Sequence, residues 1–236
     1  MRVIVSGRGR MGQALRETAP TREGIQMVAM VGRGEKLSSL PEADIILDFS
    51  RPEMALHMAD LAHERGIPFI TGTTSFSPEE LAALEIIGKD IPVLVSANFS
   101  LGITVLSHVL EEVSGVLGEE WDVELMETHH RHKEDAPSGT AIKLLTALDP
   151  GGNRKKVYGR QGFTGSREKG EIGVHALRGG SVVGEHQVHF FGDQETLQFI
   201  HRAESRQVFA LGAWTAAERL FHMPAGFYSF SQLLFR

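Results

Sequence analysis

Residues 2–12 read Arg-Val-Ile-Val-Ser-Gly-Arg-Gly-Arg-Met-Gly, and this stretch decides the fold of the first half of the chain. Its first five residues form an apolar segment typical of a buried strand, and the glycines lead into a helix-like segment that stops at Pro20. Glycines between a strand and a helix allow a tight turn and let backbone N–H groups approach a pyrophosphate. The stretch therefore predicts a strand, a turn and a helix that together can bind a dinucleotide.

Strand-like and helix-like segments alternate along the rest of residues 1–100. Apolar segments at 27–31, 45–49, 67–70 and 92–95 predict strands, and residues 52–65 and 78–88 predict helices. Ser77 and Glu80 are spaced as a capping box around Pro78, which marks a helix start. Residues 35–44 are too few for a full crossover helix. This order predicts an α/β fold with an N-terminal Rossmann-type, doubly wound parallel sheet.

In such a sheet the ligand binds beyond the carboxyl ends of the strands, so the residues that follow the strands are candidates for cofactor binding. The candidates are Gly7, Gly9, Arg10, Met11, Gly12, Arg33, Arg51, Gly72, Thr73, Thr74, Ala97, Asn98 and Phe99.

The end of the second predicted strand bears on the choice of cofactor. Gly32 and Arg33 follow it, without the aspartate that would bind an adenosine ribose hydroxyl. Arg33 suits a 2′-phosphate, although a solvated arginine in a glycine-rich turn is an alternative interpretation. We expect NADPH or NADH as the cofactor, with NADPH favoured.

Residues 127–141 read Glu-Thr-His-His-Arg-His-Lys-Glu-Asp-Ala-Pro-Ser-Gly-Thr-Ala and concentrate proton donors and anion-binding groups. A strand-like segment precedes them and a helix-like segment follows, which predicts a strand-to-helix connection. Ser138 is a candidate N-cap, and a helix start with free backbone N–H groups favours a carboxylate. His129, His130 and Lys133 can donate protons or bind anions. The cluster therefore predicts a small anionic substrate that receives a proton.

A metal site is the alternative for this cluster, because three histidines lie close in sequence to Glu127 and Asp135. Lys133 lies among them and would repel a dication, and the spacing matches no common zinc pattern. We therefore predict no bound metal.

The second half of the chain predicts a smaller domain. Residues 101–117 form an amphipathic helix-like segment, and residues 172–177, 182–191 and 196–202 are strand-like. Residues 149–170 predict a long loop, and residues 207–221 predict a helix that packs back on the first domain. We expect a dinucleotide-binding domain at 1–100, completed by 207–236. The substrate-binding and oligomerisation domain at 101–206 should be α+β, with an open, mostly antiparallel or mixed sheet.

Composition excludes several classes of protein. The 236 residues are 42% hydrophobic and 23% charged, with a net charge of −6 and no block of basic residues, so we expect no nucleic-acid partner. The chain has no cysteine, which excludes disulfides and a thiolate nucleophile. It shows no export signal and no apolar run of about 20 residues, so we expect a cytoplasmic protein that does not bind a membrane.

The cluster resembles the signature of the 4-hydroxy-tetrahydrodipicolinate reductase (dihydrodipicolinate reductase) family of diaminopimelate and lysine biosynthesis. Further segments resemble the family in the same order along nearly the whole chain: Gly-Arg-Met-Gly at 9–12, Asp-Phe-Ser-Arg-Pro-Glu at 48–53, Gly-Thr-Thr at 72–74, Ala-Asn-Phe-Ser at 97–100, Arg-Gln-Gly-Phe-Thr-Gly at 160–165 and Val-Val-Gly-Glu-His at 182–186. Two features depart from the family. The glycine loop is one residue shorter, and Gly32-Arg33 stands where an acidic residue is often found.

The resemblance implies an oxidoreductase that uses NAD(P)H to reduce 4-hydroxy-tetrahydrodipicolinate to tetrahydrodipicolinate. It implies that His129 and Lys133 form the catalytic pair, one of which supplies a proton as hydride is transferred. It also implies a homotetramer built through the second domain. The residues that it places around the dicarboxylate substrate are His130, Lys133, Ser138, Gly139 and Thr140. The alternatives are another two-domain amino-acid dehydrogenase, similar to aspartate dehydrogenase, or a non-catalytic nucleotide-sensing regulator.

Overall fold

Residues 1–235 are described by a computed structural model, in which the chain forms two units. The first unit comprises Met1–Leu101 and the segment from Arg206 onward, and the second comprises Gly102–Ser205. The strands are β1 (Arg2–Ser6), β2 (Gln26–Val31), β3 (Ile45–Asp48), β4 (Phe69–Thr71), β5 (Pro92–Val95), β6 (Asp122–His129), β7 (Lys156–Tyr158), β8 (Ile172–Arg178), β9 (Gly184–Phe191), β10 (Thr196–Ala203) and β11 (Gly226–Tyr228). The helices are α1 (Arg10–Thr18), α2 (Pro52–Arg65), α3 (Pro78–Ile87), α4 (Leu101–Leu117), α5 (Gly139–Leu148), α6 (Gln207–Leu220) and α7 (Phe230–Leu234).

The first unit is built on a six-stranded sheet in the order β11-β5-β4-β3-β1-β2, and all five pairings are parallel. Alternate residues of each strand point to opposite faces, so both faces carry apolar side chains. Val5 packs in the core with Leu15 and Trp214 from α1 and α6, whereas Ile4 packs on the other face with Met58 of α2. The prediction of a Rossmann-type parallel sheet is confirmed.

Helix and strand ends in this unit follow local sequence signals closely. The predicted capping box forms: the backbone N–H of Glu80 donates to Ser77 Oγ (3.2 Å), and that of Ser77 donates to the Glu80 carboxylate (2.7 Å). Residues 35–44 contain only a short 3₁₀ turn, as their length predicted. β11 was not predicted, because its sequence Gly-Phe-Tyr is short, begins with glycine and has no apolar run of its own; it pairs in parallel with β5.

The second unit contains a five-stranded mixed sheet in the order β10-β9-β6-β8-β7. β9 pairs antiparallel with both β10 and β6, whereas β8 pairs in parallel with both β6 and β7. One face of this sheet packs against α4 and α5 through residues such as Leu110, Leu125 and Leu144. The expectation of a mixed sheet is confirmed, although half of its pairings are parallel rather than most being antiparallel.

Two local predictions in this unit need correction. Residues 149–170 are not a continuous loop, because β7 lies within them and extends the sheet at its edge. The preceding turn is held by Asp149, whose carboxylate accepts the backbone N–H groups of Asn153 (3.1 Å) and Arg154 (2.9 Å). β6 extends to His129, three residues beyond the predicted strand end, so His129 lies on a strand rather than in the connection.

Within residues 1–235 no helix combines the length and hydropathy needed to cross a membrane.

Candidate active site

Two glycines of the first turn are required by close packing of the backbone. Gly7 has φ +105°, and a Cβ there would lie 2.3 Å from the carbonyl oxygen of Phe49. A Cβ on Gly12 would lie 1.9 Å from the carbonyl oxygen of Gly7. These two glycines therefore shape the turn between β1 and α1 and bring its backbone against β3.

Gly9 differs from its neighbours, because a Cβ added there would meet no atom within 4 Å. It is the N-cap of α1, and no side chain caps the helix. The first N–H groups of a helix need an acceptor, and the helix dipole favours an anion at this end. The open space and the uncapped N-terminus fit the pyrophosphate of a dinucleotide, with Arg10 and Met11 in the first turn.

Asp48 organises the loops at the carboxyl ends of β3 and β4. It is fully buried and accepts hydrogen bonds from the hydroxyls of Ser50 (2.5 Å), Thr71 (2.9 Å) and Thr73 (2.6 Å). Ser50 also donates its backbone N–H to Thr73 Oγ1 (3.0 Å). A buried carboxylate is costly unless its lone pairs are satisfied, and here three hydroxyls satisfy it. The network fixes the two loops that carry Arg51 and Gly72.

All of the cofactor candidates lie in the first unit at carboxyl ends of parallel strands, but their side chains differ in accessibility. Arg33, Arg51 and Thr74 are exposed. Thr73 and Phe99 are buried: the Thr73 hydroxyl binds Asp48, and the Phe99 ring packs against Phe230 at a centroid distance of 5.5 Å. The remaining candidates after β4 and β5 are Gly72, Ala97 and Asn98.

An acidic residue does lie near the end of β2, although the sequence pattern did not indicate it. Glu35 forms an ion pair with Arg8 of the glycine turn, and Arg8 also donates to the carbonyl oxygen of Met30 (3.2 Å). The Arg8 side chain covers Gly32, where an added Cβ would lie 3.0 Å from Arg8 Cδ. The charge of Glu35 is therefore paired, whereas Arg33 makes no ion pair within the part of the chain that the structure describes.

In the second unit, His129 and Glu127 lie two residues apart on β6 and therefore share one face of the sheet. His129 Nδ1 lies 2.5 Å from Glu127 Oε2. Glu127 is 0% exposed and also receives two hydrogen bonds from Arg178 on β8, at 2.9 and 2.7 Å. Burial would raise the pKa of the Glu127 carboxyl, but the hydrogen bonds from Arg178 and His129 outweigh it and lower that pKa. Glu127 is therefore ionised at neutral pH.

Ser138 begins α5 as predicted. Its hydroxyl accepts the backbone N–H of Ala141 (3.1 Å), and its own backbone N–H donates to Glu127 Oε1 (3.1 Å). Gly139 is exposed, and a Cβ added there would meet nothing within 4 Å. The helix start at Gly139 is thus accessible to an anion, which the helix dipole favours.

His186 of β9 completes the polar cluster. Its Nε2 lies 3.0 Å from Ser138 Oγ, and its ring meets the His129 ring edge to face at a centroid distance of 5.2 Å. Burial, with repulsion from a positive charge on His129, lowers the pKa of His186 to about 4. His186 is therefore neutral near pH 7 and can exchange a hydrogen bond with the Ser138 hydroxyl without adding charge.

Lys133 and His130 lie in the turn that follows β6. The backbone N–H of Lys133 donates to the His130 carbonyl oxygen (3.1 Å). The Lys133 ammonium donates to both carboxylate oxygens of Asp135, at 2.6 and 2.9 Å, and this hydrogen bond lowers the pKa of Asp135. An ammonium has three N–H groups, so one remains for another acceptor. Residues 1–235 contain no group of three or more histidine, aspartate or glutamate side chains placed to hold a metal ion.

The prediction from sequence omitted four residues of these networks: Asp48, Glu127 as a partner of His129, Arg178 and His186. Glu127 had a usable signal, because residues two apart on a strand share a face. Arg178 and His186 lie 51 and 48 residues after their partners in the chain, and only the strand register brings them together.

Comparisons with known proteins agree over nearly the whole chain. The family model for the dihydrodipicolinate reductase N-terminus matches residues 1–99, and the model for the C-terminus matches residues 102–234. A 4-hydroxy-tetrahydrodipicolinate reductase from Alkaliphilus metalliredigens is 38% identical over 238 residues, covering 99% of this chain and 99% of the relative. One from Haloarcula marismortui is 40% identical over 247 residues, covering 99% and 98%.

A solved structure has the same fold. The dihydrodipicolinate reductase from Paenisporosarcina sp. TG-14, determined with dipicolinate bound, matches with a TM-score of 0.79 at 23% identity and 97% coverage of each chain. At this identity the likeness concerns the fold alone. The family models and the relatives in sequence carry the assignment: this chain belongs to the dihydrodipicolinate reductase family.

Proposed function

We propose that this protein is an oxidoreductase that reduces 4-hydroxy-tetrahydrodipicolinate to tetrahydrodipicolinate with NAD(P)H, in diaminopimelate and lysine biosynthesis. The observation that carries the proposal is the arrangement of His129, whose Nδ1 lies 2.5 Å from a buried, ionised Glu127, beside the open N-terminus of α5. A proton donor and an anion-binding backbone in one cluster suit a dicarboxylate that gains a proton. The comparisons do not favour the alternatives of another amino-acid dehydrogenase or a nucleotide-sensing regulator.

Residues 1–100 with 207–236 form the dinucleotide-binding domain in this proposal, and residues 101–206 bind substrate. The cofactor is a nicotinamide dinucleotide, held at the Gly9 turn and at the loops ordered by Asp48. NADPH is the preferred form, because Arg33 is exposed and makes no ion pair among residues 1–235, while the charge of Glu35 is paired by Arg8. An unpaired guanidinium suits the 2′-phosphate.

The substrate is a small dicarboxylate. One carboxylate binds the backbone N–H groups of Gly139 and Thr140 at the start of α5, below the Ser138 cap. His130 and the remaining N–H of Lys133 supply further donors from the turn after β6. The second carboxylate of the substrate then faces these cationic or neutral donors rather than other carboxylates.

The cofactor supplies hydride, and the side chains of the second unit supply the proton and the orientation. Glu127 accepts a hydrogen bond from His129 Nδ1. The other ring nitrogen, Nε2, is therefore the one that can exchange a proton with substrate. Lys133 is the second candidate donor, with Asp135 holding its ammonium in place. Both residues act as the catalytic pair in this proposal.

The test is oxidation of NADPH and of NADH with freshly generated 4-hydroxy-tetrahydrodipicolinate. We expect the parent to turn over, and His129→Ala and Lys133→Ala each to lower kcat by about 10²–10⁴-fold with nucleotide affinity nearly unchanged. Lys155→Ala is the matched control, because Lys155 forms an exposed ion pair with Glu168 (2.8 Å) in the same unit. An inactive parent would contradict the function, and active variants at both positions would contradict the catalytic pair.

The same proposal includes a closed homotetramer. The face of the mixed sheet opposite α4 and α5 exposes apolar side chains, including Leu177, Phe191 and Ile200, of which Ile200 is 56% exposed. Self-association would remove this apolar area from water, and soluble oligomers are mostly closed and symmetric. Light scattering at micromolar concentration should report four chains, and a monomer would contradict the assembly.

A further inference from the structure

Glu127 is the most demanding charge in the second unit, because its carboxylate is 0% exposed. Four donors satisfy it. Oε1 accepts from Arg178 Nη2 (2.7 Å) and from the Ser138 backbone (3.1 Å), and Oε2 accepts from Arg178 Nη1 (2.9 Å) and His129 Nδ1 (2.5 Å). A buried ion pair of this kind is seldom needed for stability, since a well-packed apolar replacement is often as stable. Its position between His129 and the start of α5 points to a role other than stability.

We propose that Glu127 is a positioning residue, which holds the imidazole of His129 and the first turn of α5 in one fixed arrangement, with Arg178 as its counter-ion. This inference rests on the proposed function, because it takes His129 to be a proton donor. The two carboxylate oxygens divide the task. Oε2 faces the proton donor, and Oε1 faces the backbone that begins the anion-binding helix.

The contact with His129 selects one ring tautomer. A carboxylate without a proton only accepts, so Nδ1 of His129 carries the hydrogen and Nε2 remains for the reacting molecule. Arg178 moderates the effect of the negative charge. An unpaired carboxylate beside an imidazolium would hold its proton strongly, whereas two hydrogen bonds from a guanidinium neutralise that charge.

Arg178 connects the same network to Lys133. Its Nη2 also donates to the carbonyl oxygen of Asp135 (2.6 Å), and the Asp135 carboxylate binds the Lys133 ammonium at 2.6 and 2.9 Å. Both members of the proposed catalytic pair are therefore anchored, directly or through one residue, to the Glu127–Arg178 pair.

Glu127→Gln separates positioning from folding. If the amide oxygen takes the Oε1 side, it keeps the bonds from Ser138 and Arg178 Nη2, and the amide nitrogen then faces His129 Nδ1. The reverse orientation would set the amide nitrogen against two donors instead of one. The ring must then accept at Nδ1 and carry its hydrogen on Nε2. The substitution therefore leaves the start of α5 intact while it reverses the tautomer of His129.

We expect kcat of Glu127→Gln to fall by about 10²–10⁴-fold, the range for losing a general acid or base and for a histidine held in the wrong tautomer, with KM and pyridine-2,6-dicarboxylate affinity within about threefold of the parent. The alkaline limb of the kcat profile should move to lower pH, because a neutral amide stabilises an imidazolium less than a carboxylate does. The groups that face His129 are Glu127, Arg178 behind it, and His186.

Glu124→Gln is the matched control. Glu124 lies on the same strand but on the opposite face, and it too pairs with an arginine and a histidine, Arg160 (3.0 Å) and His175 (2.8 Å). The kcat and pH profile of the Glu124→Gln variant should equal those of the parent. If Glu127→Gln does not fold, Glu127→Asp keeps the charge but withdraws it by one methylene from the imidazole, and its kcat should fall with dicarboxylate affinity kept.

Three results would overturn the inference: parent-like kcat and pH profile in Glu127→Gln, an equal loss in Glu124→Gln, or loss of pyridine-2,6-dicarboxylate binding in step with kcat. The third would assign Glu127 a merely structural role. An inactive parent is a different outcome and would contradict the proposed reaction instead. Calorimetric titration of pyridine-2,6-dicarboxylate, the dipicolinate bound in the solved structure from Paenisporosarcina sp. TG-14, needs no turnover and separates these cases.

Discussion

His186 offers a test of the buried cluster that does not depend on catalysis. The ring is 4% exposed, its Nε2 contacts Ser138 Oγ at 3.0 Å, and its Nδ1 is buried without a hydrogen-bond partner. Protonating this imidazole in place would bury a positive charge beside the His129 ring. His186→Gln removes the titration while keeping a side chain that can exchange a hydrogen bond with the Ser138 hydroxyl.

The magnitude follows from the shifted pKa. In the unfolded chain His186 has its ordinary pKa of 6.5, and in the folded protein burial and the positive charge on His129 lower that pKa to about 4. Below pH 6.5 the unfolded state therefore binds more protons than the folded state, so the free energy of unfolding falls as pH falls. At about 1.4 kcal/mol per pKa unit, the parent loses about 2 kcal/mol by pH 5 and about 3 kcal/mol by pH 4 through this residue. Above pH 6.5 His186 is neutral in both states, and its contribution to the free energy of unfolding is fully present.

The measurement is urea unfolding of parent and His186→Gln at several pH values between 7.5 and 4.5 and one protein concentration. Trp121 and Trp214 are the two tryptophans of the chain and lie in different units, so a Trp214→Phe background makes fluorescence report the second unit. The parent should lose about 2 kcal/mol more than the variant between pH 7.5 and pH 5. His63→Gln is the control in the first unit, and it should lose as much unfolding free energy between pH 7.5 and pH 5 as the parent does. Parallel curves for parent and His186→Gln would refute the reasoning.

The remaining predictions concern the two ligand sites. Gly9→Ala should fold normally, because an added Cβ meets nothing within 4 Å, but it should weaken NADPH binding by about 10-fold or more in calorimetry. Gly115→Ala is the control: a Cβ there also meets nothing within 4 Å, and the variant should bind NADPH as the parent does. Gly139→Val should raise KM and the Kd of pyridine-2,6-dicarboxylate by about 10-fold, whereas Ser138→Gly should be milder because glycine is a fair cap; equal affinities would place the carboxylate elsewhere. Arg33→Ala should raise the Kd for NADPH by about 10-fold and leave that for NADH unchanged, and a parallel change in both would exclude a 2′-phosphate contact.

The sequence predicted elements well where the determining interaction is local. The Ser77 capping box and the Ser138 N-cap each depend on residues within one helical turn, and both were predicted at the correct position. β7 and β11 were missed because each is a three-residue strand at a sheet edge, whereas the equally short β4 lies inside its sheet and was predicted from its fully buried apolar segment. A short edge strand has too little alternation of its own to be distinguished from a loop.

The distinction between local and distant interactions also explains which residues of the candidate site could be predicted. His129, Lys133 and Ser138 are close in sequence, so their density alone indicated a site. Arg178 comes from β8 and His186 from β9, and although His186 ends the family-like segment 182–186, nothing in that segment indicates which residue it contacts. Their positions follow from cross-strand register, in which Glu127 lies opposite Ala176 on one side and His186 on the other. Register depends on the packing of the whole sheet, which no local pattern specifies.

Asp48 and Glu127 show what the two units have in common. Each is a fully buried carboxylate within the last residues of a strand, β3 or β6, and each accepts hydrogen bonds from residues at or beside the ends of its own and neighbouring elements. Asp48 is satisfied by three hydroxyls, and Glu127 by a guanidinium, an imidazole and a backbone N–H. Loops at strand ends are otherwise the most mobile part of an α/β unit, and a buried charge tolerates little displacement of its donors before its desolvation is uncompensated. A carboxylate at this position therefore converts mobile loops into a fixed arrangement, which is the property that binding and proton transfer require of them.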